Sequence, residues 1–150
     1  MPPDGAPAIM VGPGTGCAPF RGMIQDRTHR GIGQNLLFFG SRNARGDFFF
    51  EREWTQLMEK GMLDLVTAFS RDQEHKIYVQ HRIAELEDKV RKLLHSGGVV
   101  YIAGNAKDMV PSVRDAFKAV VKSDSLSDGN AEELLKDLEK SGRLQIEAWS

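Results

Sequence analysis

A glycine-rich run near the start of the chain, Gly12–Gly16, contains the residues whose types and spacing best suit chemistry. It follows the apolar stretch Ala8–Val11 and precedes a helix-forming segment, which is the order strand, loop, helix. Gly14 and Gly16 would let a ligand approach the main chain closely, and Thr15 adds a hydroxyl donor. The N–H groups at the start of a helix attract an anion. The run therefore predicts a phosphate site, although a tight turn with a helix cap would use similar residues.

A second candidate site follows the next two apolar runs. After Leu36–Phe39 the chain continues Gly40-Ser41-Arg42, without the acidic residue that holds the ribose diol in a common NAD site. After the third apolar run come a hydroxyl, a guanidinium, an ammonium and a phenol, from Ser70, Arg71, Lys76 and Tyr78. Arginine offers a planar fork and lysine a point charge to a dianion. A charged surface loop would also contain such residues, but beside the glycine run they predict a 2′-phosphate pocket and favour NADPH over NADH.

The last two apolar runs also end in residues of interest. Val99–Ala103 is followed by a segment containing Gly104, Asn105 and Asp108, which is either a ligand-lining turn or a simple connection to a helix. The segment Glu147-Ala148-Trp149-Ser150 directly follows the final run, and at that strand end the flat indole of Trp149 could stack on a planar cofactor.

These residues need a scaffold that brings strand ends together, and the rest of the pattern supplies one. Five apolar runs predict strands at Ala8–Val11, Leu36–Phe39, Leu63–Phe69, Val99–Ala103 and Leu144–Ile146. Helix-period stretches between them predict helices near Pro19–Thr28, Glu51–Lys60, His81–His95, Lys107–Val121 and Ala131–Lys140. Such alternation predicts an α/β fold, a doubly wound five-stranded parallel sheet of the Rossmann type, with ligands at the carboxyl ends of the strands. We expect residues 1–150 to form one domain.

Composition narrows the classes of function. The chain has 20 Lys plus Arg against 21 Asp plus Glu, so its charge gives no reason to expect binding to nucleic acid or to a membrane surface. Cys17 is the only cysteine, and the four histidines show no metal spacing. No apolar run approaches a membrane span and no signal peptide is visible. We therefore expect a cytoplasmic protein without a metal site. Because the first strand begins so near Met1, we also expect one domain of a longer protein.

The motifs, taken in order, resemble the NADPH-binding domain of the diflavin reductase family, which includes cytochrome P450 reductase and the sulfite reductase flavoprotein. The resemblance covers essentially the whole chain. It is carried by residues 12–21, 68–71 and 76–81 and by the terminal Trp149-Ser150. It implies an NADP-binding domain of the ferredoxin reductase type, whose FAD-binding barrel and FMN domain lie outside this chain.

The resemblance also implies roles for the site residues. Thr15 and the glycine run would hold the pyrophosphate, with Arg42 nearby, and the cluster from Ser70 to Tyr78 would hold the 2′-phosphate, supported by Gln80. The segment that contains Gly104, Asn105 and Asp108 would line the nicotinamide side.

Two residues of the last strand would act in catalysis. Trp149 would cover the flavin ring and yield when nicotinamide enters, and Glu147 stands where relatives carry an Asp that assists hydride transfer. Hydride would pass from NADPH to FAD, and electrons would pass through FMN to a protein acceptor.

Within the family, the chain is most similar to the branch of cytosolic iron–sulfur protein assembly. P450 reductases usually carry Cys-Gly-Asp where this chain has Ala103-Gly104-Asn105, and the Ala-Gly-Asn pattern resembles that of the assembly branch. The resemblance thus implies an iron–sulfur assembly protein as electron acceptor. Two alternatives stay open: a P450 reductase or another diflavin relative, and a non-catalytic nucleotide-binding module.

Overall fold

The computed structural model describes residues 5–13, 18–41, 51–69, 78–122 and 128–149. Within these ranges the strands are β1 (Ala8–Pro13), β2 (Asn35–Ser41), β3 (Asp64–Phe69), β4 (Val99–Asn105) and β5 (Leu144–Trp149). The helices are α1 (Ala18–His29), α2 (Glu51–Glu59), α3 (Val79–Glu85), α4 (Glu87–His95), α5 (Met109–Lys122) and α6 (Asp128–Lys140). None of these helices combines the length and apolar character that crossing a bilayer requires.

The strands form one parallel sheet in the order β3-β2-β1-β4-β5. The chain moves outward from β1 to β3 and then returns to place β4 on the other side of β1, so the topological switch point lies between β1 and β4. In β1 the side chains from Ala8 to Val11 are all fully buried, as expected for a central strand covered on both faces. The predicted doubly wound α/β fold is confirmed.

Alternate residues of each strand build separate cores on the two faces of the sheet. On one face Met10, Leu37 and Phe39 pack with Phe20 of α1 and Trp54 of α2. The other core is larger, and its members from the strands and from α3 to α6 include Val11, Phe38, Ile83, Val90, Val113, Phe117 and Leu135. Helices α1 and α5 cover opposite faces of the sheet. The connections that lead to them from β1 and β4 therefore diverge at the carboxyl edge.

The predicted elements are present, with changes at their boundaries. Strands β1, β2, β4 and β5 extend beyond the predicted runs, to Pro13, Ser41, Asn105 and Trp149. The helix predicted over His81–His95 begins earlier, at Val79, and is interrupted at Leu86, whose φ is −106° and ψ 28°. The Leu86 N–H is shared between the carbonyls of Arg82 and Ile83, at 3.1 and 3.2 Å. The backbone therefore forms one tighter turn at Leu86, and the helical path continues into α4. The last helix begins at Asp128, before the predicted Ala131.

A buried polar pair joins α1 to the amino edge of the sheet. The Arg27 side chain is fully buried, and its Nε donates to Asn35 Oδ1 at 2.6 Å. Asn35 in turn donates from Nδ2 to the carbonyls of Ile32 and Met62, each at 2.9 Å. Since a buried charge needs hydrogen-bonding partners, this pair fixes how α1 meets the starts of β2 and β3.

Ion pairs connect neighbouring helices on both faces. Between α1 and α2, Arg21 Nε lies 2.7 Å from Glu53 Oε2, and Gln25 also donates to this carboxylate. Burial raises the pKa of Glu53, but the hydrogen bonds from Arg21 and Gln25 and the charge of Arg21 outweigh it and lower the pKa below its ordinary value. Between α5 and α6, the hydrogen bond from Arg114 holds the pKa of Glu132 below its ordinary value, against the effect of burial.

Candidate functional site

The five strands are parallel, so their carboxyl ends, from Pro13 on β1 to Trp149 on β5, meet at one edge of the sheet. This is the edge at which open α/β sheets bind ligands, next to the switch point. Some predicted site residues lie outside the described residues: Gly14, Thr15, Gly16, Arg42, Ser70, Arg71 and Lys76. The described ones fall into groups at α3, at the β4–α5 turn and on β5.

Tyr78 stands at the start of α3 with its side chain open to solvent. Its residue is 42% exposed, and its backbone is extended at φ −115° and ψ 166°. The Tyr78 N–H donates to His81 Nδ1 at 2.9 Å, and the two rings lie 5.8 Å apart between centroids. His81 thus fixes the backbone that presents the tyrosine ring, which leaves the ring available to stack on a base.

Helix α3 lies directly on the carboxyl end of β2. Val79 is buried, and a Cβ at Gly40 would lie only 3.0 Å from Val79 Cγ1. The missing side chain of Gly40 therefore allows the helix to approach the strand closely. Gln80, the next residue of the helix, is half-buried beside this contact, as fits a residue that supports the segment before it.

The turn after β4 is organised by the side chain of Asn105. Its Oδ1 accepts hydrogen bonds from the N–H groups of Lys107 at 2.8 Å and Asp108 at 3.0 Å. This local bonding of side chain to backbone is typical of Asn at the start of a turn. Asn105 therefore shapes the turn that leads to α5, and the exposed Asp108 lies at its end.

Side-chain packing accounts for the glycine at position 104, which the sequence did not indicate. A Cβ at this position would lie 2.3 Å from Met109 Sδ, so the Met109 side chain occupies the space beside the glycine. The sequence had suggested that Gly104 admits a ligand or simply ends the strand. On the face that Met109 covers, a ligand reaches Gly104 only after this flexible side chain has moved.

The edge strand β5 brings the predicted catalytic pair into register with β4. Glu147 lies opposite Ala103, and Trp149 occupies the position opposite Asn105. The Glu147 side chain is exposed. This register places the last residues of β5 beside the β4–α5 turn, where the sequence predicted the nicotinamide side of the site.

The side chain of Tyr101, in the first half of β4, is a buried titratable group. Burial raises the pKa of the Tyr101 hydroxyl, while the charge of Arg27 works in the opposite direction. Tyr101 is 8% exposed, and its hydroxyl stays neutral at physiological pH because the ordinary pKa is already about 10. It belongs to the core on the α1 face and not to the solvent-facing site.

The turn geometry gives a direct prediction for Asn105. Asn105→Ala removes both hydrogen bonds to the turn, so we expect the free energy of unfolding to fall by about 1 kcal/mol. Asn105→Asp keeps the acceptor oxygen and is expected to retain most of that stability. Urea unfolding of both variants measures the difference, and equal stability of the alanine and wild-type chains would show that the turn does not depend on this side chain.

Several contacts at the edge involve residues that the sequence did not single out: Val79, His81 as a backbone acceptor, Arg82 and Met109. The Tyr-Val-Gln-His order contains a signal for His81, because an acceptor three residues into a helix commonly bonds back to the residue before the helix. No local signal exists for Arg82 or Met109, since their partners on β3 and β4 are defined only by the tertiary fold.

Comparison with known proteins shows the family to which the chain is related. The model of the family described as "Oxidoreductase NAD-binding domain" matches residues 10–115. The chain is 51% identical over 150 residues to NADPH-dependent diflavin oxidoreductase 1 of Danio rerio, with 97% of this chain and 25% of the relative covered. It is 53% identical over 150 residues to the protein of the same name in Xenopus laevis, with 99% and 25% covered. It is 44% identical over 149 residues to the sulfite reductase [NADPH] flavoprotein alpha-component of Vibrio vulnificus, with 97% and 24% covered.

The chain spans about a quarter of the length of these curated relatives. The names of all three contain NADPH, and the family model covers the strands from β1 to β4 together with the start of α5.

Proposed function

Because this chain belongs to the oxidoreductase NAD-binding domain family, we propose that it is the NADPH-binding domain of a diflavin oxidoreductase. The observation that carries the proposal is the sheet order β3-β2-β1-β4-β5, whose switch point lies between β1 and β4, at the edge where open α/β sheets bind ligands. The names of the relatives support the choice of NADPH and of two flavins.

The described residues fit such a ligand. The exposed Tyr78 ring beside the end of β2 offers a stacking surface for adenine, and the Asn105 turn borders the space after β4. Across the edge, Glu147 and the position of Trp149 face the same turn in the strand register. We propose that the adenosine end of the dinucleotide lies over β2 and β3 and the nicotinamide end over β4 and β5.

We propose the residue roles accordingly. Gly14, Thr15, Gly16 and Arg42 hold the pyrophosphate. The 2′-phosphate is held by Ser70, Arg71, Lys76 and Tyr78, with support from Gln80. Gly104, Asn105 and Asp108 border the nicotinamide, and Glu147 and Trp149 act where hydride leaves it. NADPH supplies the hydride and protein-bound FAD accepts it, while the residues of this chain bind and orient the dinucleotide.

The wider role is proposed from the resemblance of the chain to one branch of the family. In the full-length protein, FAD and FMN domains receive the electrons and pass them to a protein acceptor, and we propose cytoplasmic iron–sulfur protein assembly as the process served. The assignment to this branch rests on the Ala103-Gly104-Asn105 pattern. A second candidate is another diflavin reductase, favoured by the 44% identity to a sulfite reductase flavoprotein.

Calorimetric titration of the chain with NADP and NAD tests the binding assignment. We expect NADP to bind at least about ten times more tightly than NAD, because a charge-assisted hydrogen bond to the 2′-phosphate contributes roughly 1.5–3 kcal/mol. Equal affinities, or no binding of either, would reject the 2′-phosphate pocket. Assays of the full-length protein with iron–sulfur assembly proteins and with other acceptors would then separate the two candidate branches.

A further inference from the structure

The two edge strands of the sheet, β3 and β5, differ in how far they are covered. On β3, Arg82 of α3 donates from its Nε to the Thr67 carbonyl at 2.9 Å, and residues 65–67 are half-buried. On β5, by contrast, residues 145–148 are all exposed. A helix side chain therefore occupies a main-chain acceptor of one edge strand, while most of the other strand is open to solvent.

Alternate residues of β5 direct their main-chain groups away from the sheet. The Val100 N–H donates to the Arg143 carbonyl at 2.8 Å, which fixes the set of residues that bond to β4. Because the bonding direction alternates along a strand, the other set directs its N–H and C=O groups outward. These outward residues are Leu144, Ile146 and Ala148. Within the ranges that the structure describes, no protein group hydrogen-bonds to these outward groups.

The sequence of β5 does little to prevent another strand from pairing with it. Natural edge strands are commonly protected by proline, lysine or a bulge. Strand β5 reads Leu-Gln-Ile-Glu-Ala-Trp, without proline or lysine, and its register with β4 is continuous. Ile146, in the middle of the strand, is apolar and yet 38% exposed. These features favour the addition of a further strand at this edge.

A second β5 strand, antiparallel to the first, fits this edge best in one register. A two-fold axis through Ile146 places Ile146 opposite its own copy, where the two residues exchange N–H···O bonds. The same axis places Gln145 opposite Glu147 of the second copy, in a closely spaced pair. Gln145 Nε2 donates to the Gly142 carbonyl at 3.0 Å and has a second hydrogen to donate to that carboxylate.

Neighbouring registers are less favourable. An axis through Glu147 would bring the two Glu147 carboxylates opposite each other, and like charges directly opposite are destabilising. An axis through Gln145 would pair Glu147 with Arg143 of the second copy. The Arg143 guanidinium already donates to the carbonyls of Leu94 and Gly98 in its own chain, at 2.6 and 3.1 Å. The axis through Ile146 therefore gives the most complementary pairing.

We propose that the outward edge of β5 is an interface between two copies of this chain, whose β5 strands pair antiparallel about Ile146. At both ends of the pairing, Leu144 of one copy lies opposite Ala148 of the other, and the two sheets become continuous. An interface built from one strand of each copy is small, so the dimer is weak and reversible. It requires nothing of the proposed dinucleotide site.

Sedimentation equilibrium of the 150-residue chain measures the dimer. We expect a dissociation constant on the order of 100 µM, as for a small interface. Ile146→Pro removes an outward N–H and keeps the pairing with β4, so we expect the dissociation constant to rise at least about tenfold through the loss of one hydrogen bond from each copy. Ile146→Val keeps the N–H and the branched side chain, and we expect a value within about threefold of the wild type. A chain that is monomeric at about ten times the expected constant, or a folded Ile146→Pro chain that dimerises like the wild type, would overturn the interface.

Substitutions at Gln145 test the register through charge alone. Gln145→Lys places an ammonium opposite Glu147 of the second copy at two symmetric positions, so we expect dimerisation about two- to tenfold tighter. Gln145→Glu places like charges there, and we expect a similar factor in the opposite direction. Both effects should decrease at high salt. Because the Gln145 side chain is exposed, these variants decide the matter even if proline at position 146 prevents folding.

Gln56 provides the matched control. It is exposed on α2, whose Trp54 packs on the opposite side of the sheet from β5, against Leu37 and Phe39 of β2. Gln56→Lys and Gln56→Glu make the same changes of net charge, and we expect the dissociation constant to stay within about twofold of the wild type. Equal effects at Gln56 and Gln145 would attribute the change to net charge and overturn the pairing about Ile146. The same conclusion would follow if Gln145→Lys and Gln145→Glu shifted dimerisation in one direction, or left it unchanged.

Discussion

Replacing Arg71 by alanine is expected to weaken NADP binding by roughly 1.5–3 kcal/mol, which corresponds to about a 10- to 150-fold rise in the dissociation constant. The reason is the loss of a charge-assisted hydrogen bond to a dianionic phosphate. Arg71 follows Phe69, the last residue of β3, by two positions in the sequence. NAD lacks the 2′-phosphate, so its affinity should stay nearly unchanged. Calorimetric titration of both dinucleotides into the variant measures the difference.

Arg30→Ala is the appropriate control for this substitution. Arg30 follows the end of α1 at the amino edge of the sheet, where its Nη2 lies 3.0 Å from Asp26 Oδ2. The Arg30→Ala substitution removes the same charge from the chain, but far from the strand ends at which the ligand is proposed to bind. A similar weakening of NADP by Arg30→Ala would attribute the effect to overall charge. An Arg71→Ala chain that binds NADP as tightly as the wild type would remove Arg71 from the site.

The alternation of strands and helices could be predicted because it depends on local pattern. Runs such as Ala8–Val11 and Val99–Ala103 are continuous and apolar, as strands buried on both faces must be. Positive-φ glycines at Gly61 (71°), Gly97 (87°) and Gly142 (79°) confirm the predicted helix ends. A parallel sheet with right-handed crossovers then follows from that alternation, and the position of the candidate site at the carboxyl edge follows from the parallel sheet.

Contacts between distant segments could not be predicted in the same way. Met58 of α2 stands one helical turn after the buried Trp54, at the spacing of a core residue, and yet it is 44% exposed. Arg27 is charged and yet fully buried, because Asn35 is brought beside it by the return of the chain. At the site, the packing of Met109 on Gly104 depends likewise on tertiary structure. Periodicity reports which side of an element is apolar, but it does not report which polar groups meet across elements.

The connection between α4 and β4 gives the second large expected effect, at Gly98. The Gly98 N–H donates to the Leu93 carbonyl at 2.9 Å, and the Gly97 N–H donates to Leu94 at 3.1 Å, which together form a Schellman ending of the helix. A Cβ at residue 98 would lie 2.6 Å from the same Leu93 oxygen. Because that atom belongs to the helix backbone, it cannot move aside as a side chain could. We expect Gly98→Ala to lower the free energy of unfolding by about 2–3 kcal/mol.

Two other glycines separate this steric effect from the general effect of adding a methyl group. Gly142 has φ 79° with open space around it, so Gly142→Ala should cost about 1 kcal/mol from backbone strain alone. Gly22 lies within α1, also with open space, and Gly22→Ala should stabilise the chain by about 0.5–1 kcal/mol because alanine favours the helix. Urea unfolding of the three variants should therefore rank Gly98→Ala lowest, Gly142→Ala next and Gly22→Ala above the wild type. A Gly98→Ala chain no less stable than Gly142→Ala would mean that the α4–β4 connection relaxes to admit the methyl group, and that the start of β4 is not held rigidly by the end of α4.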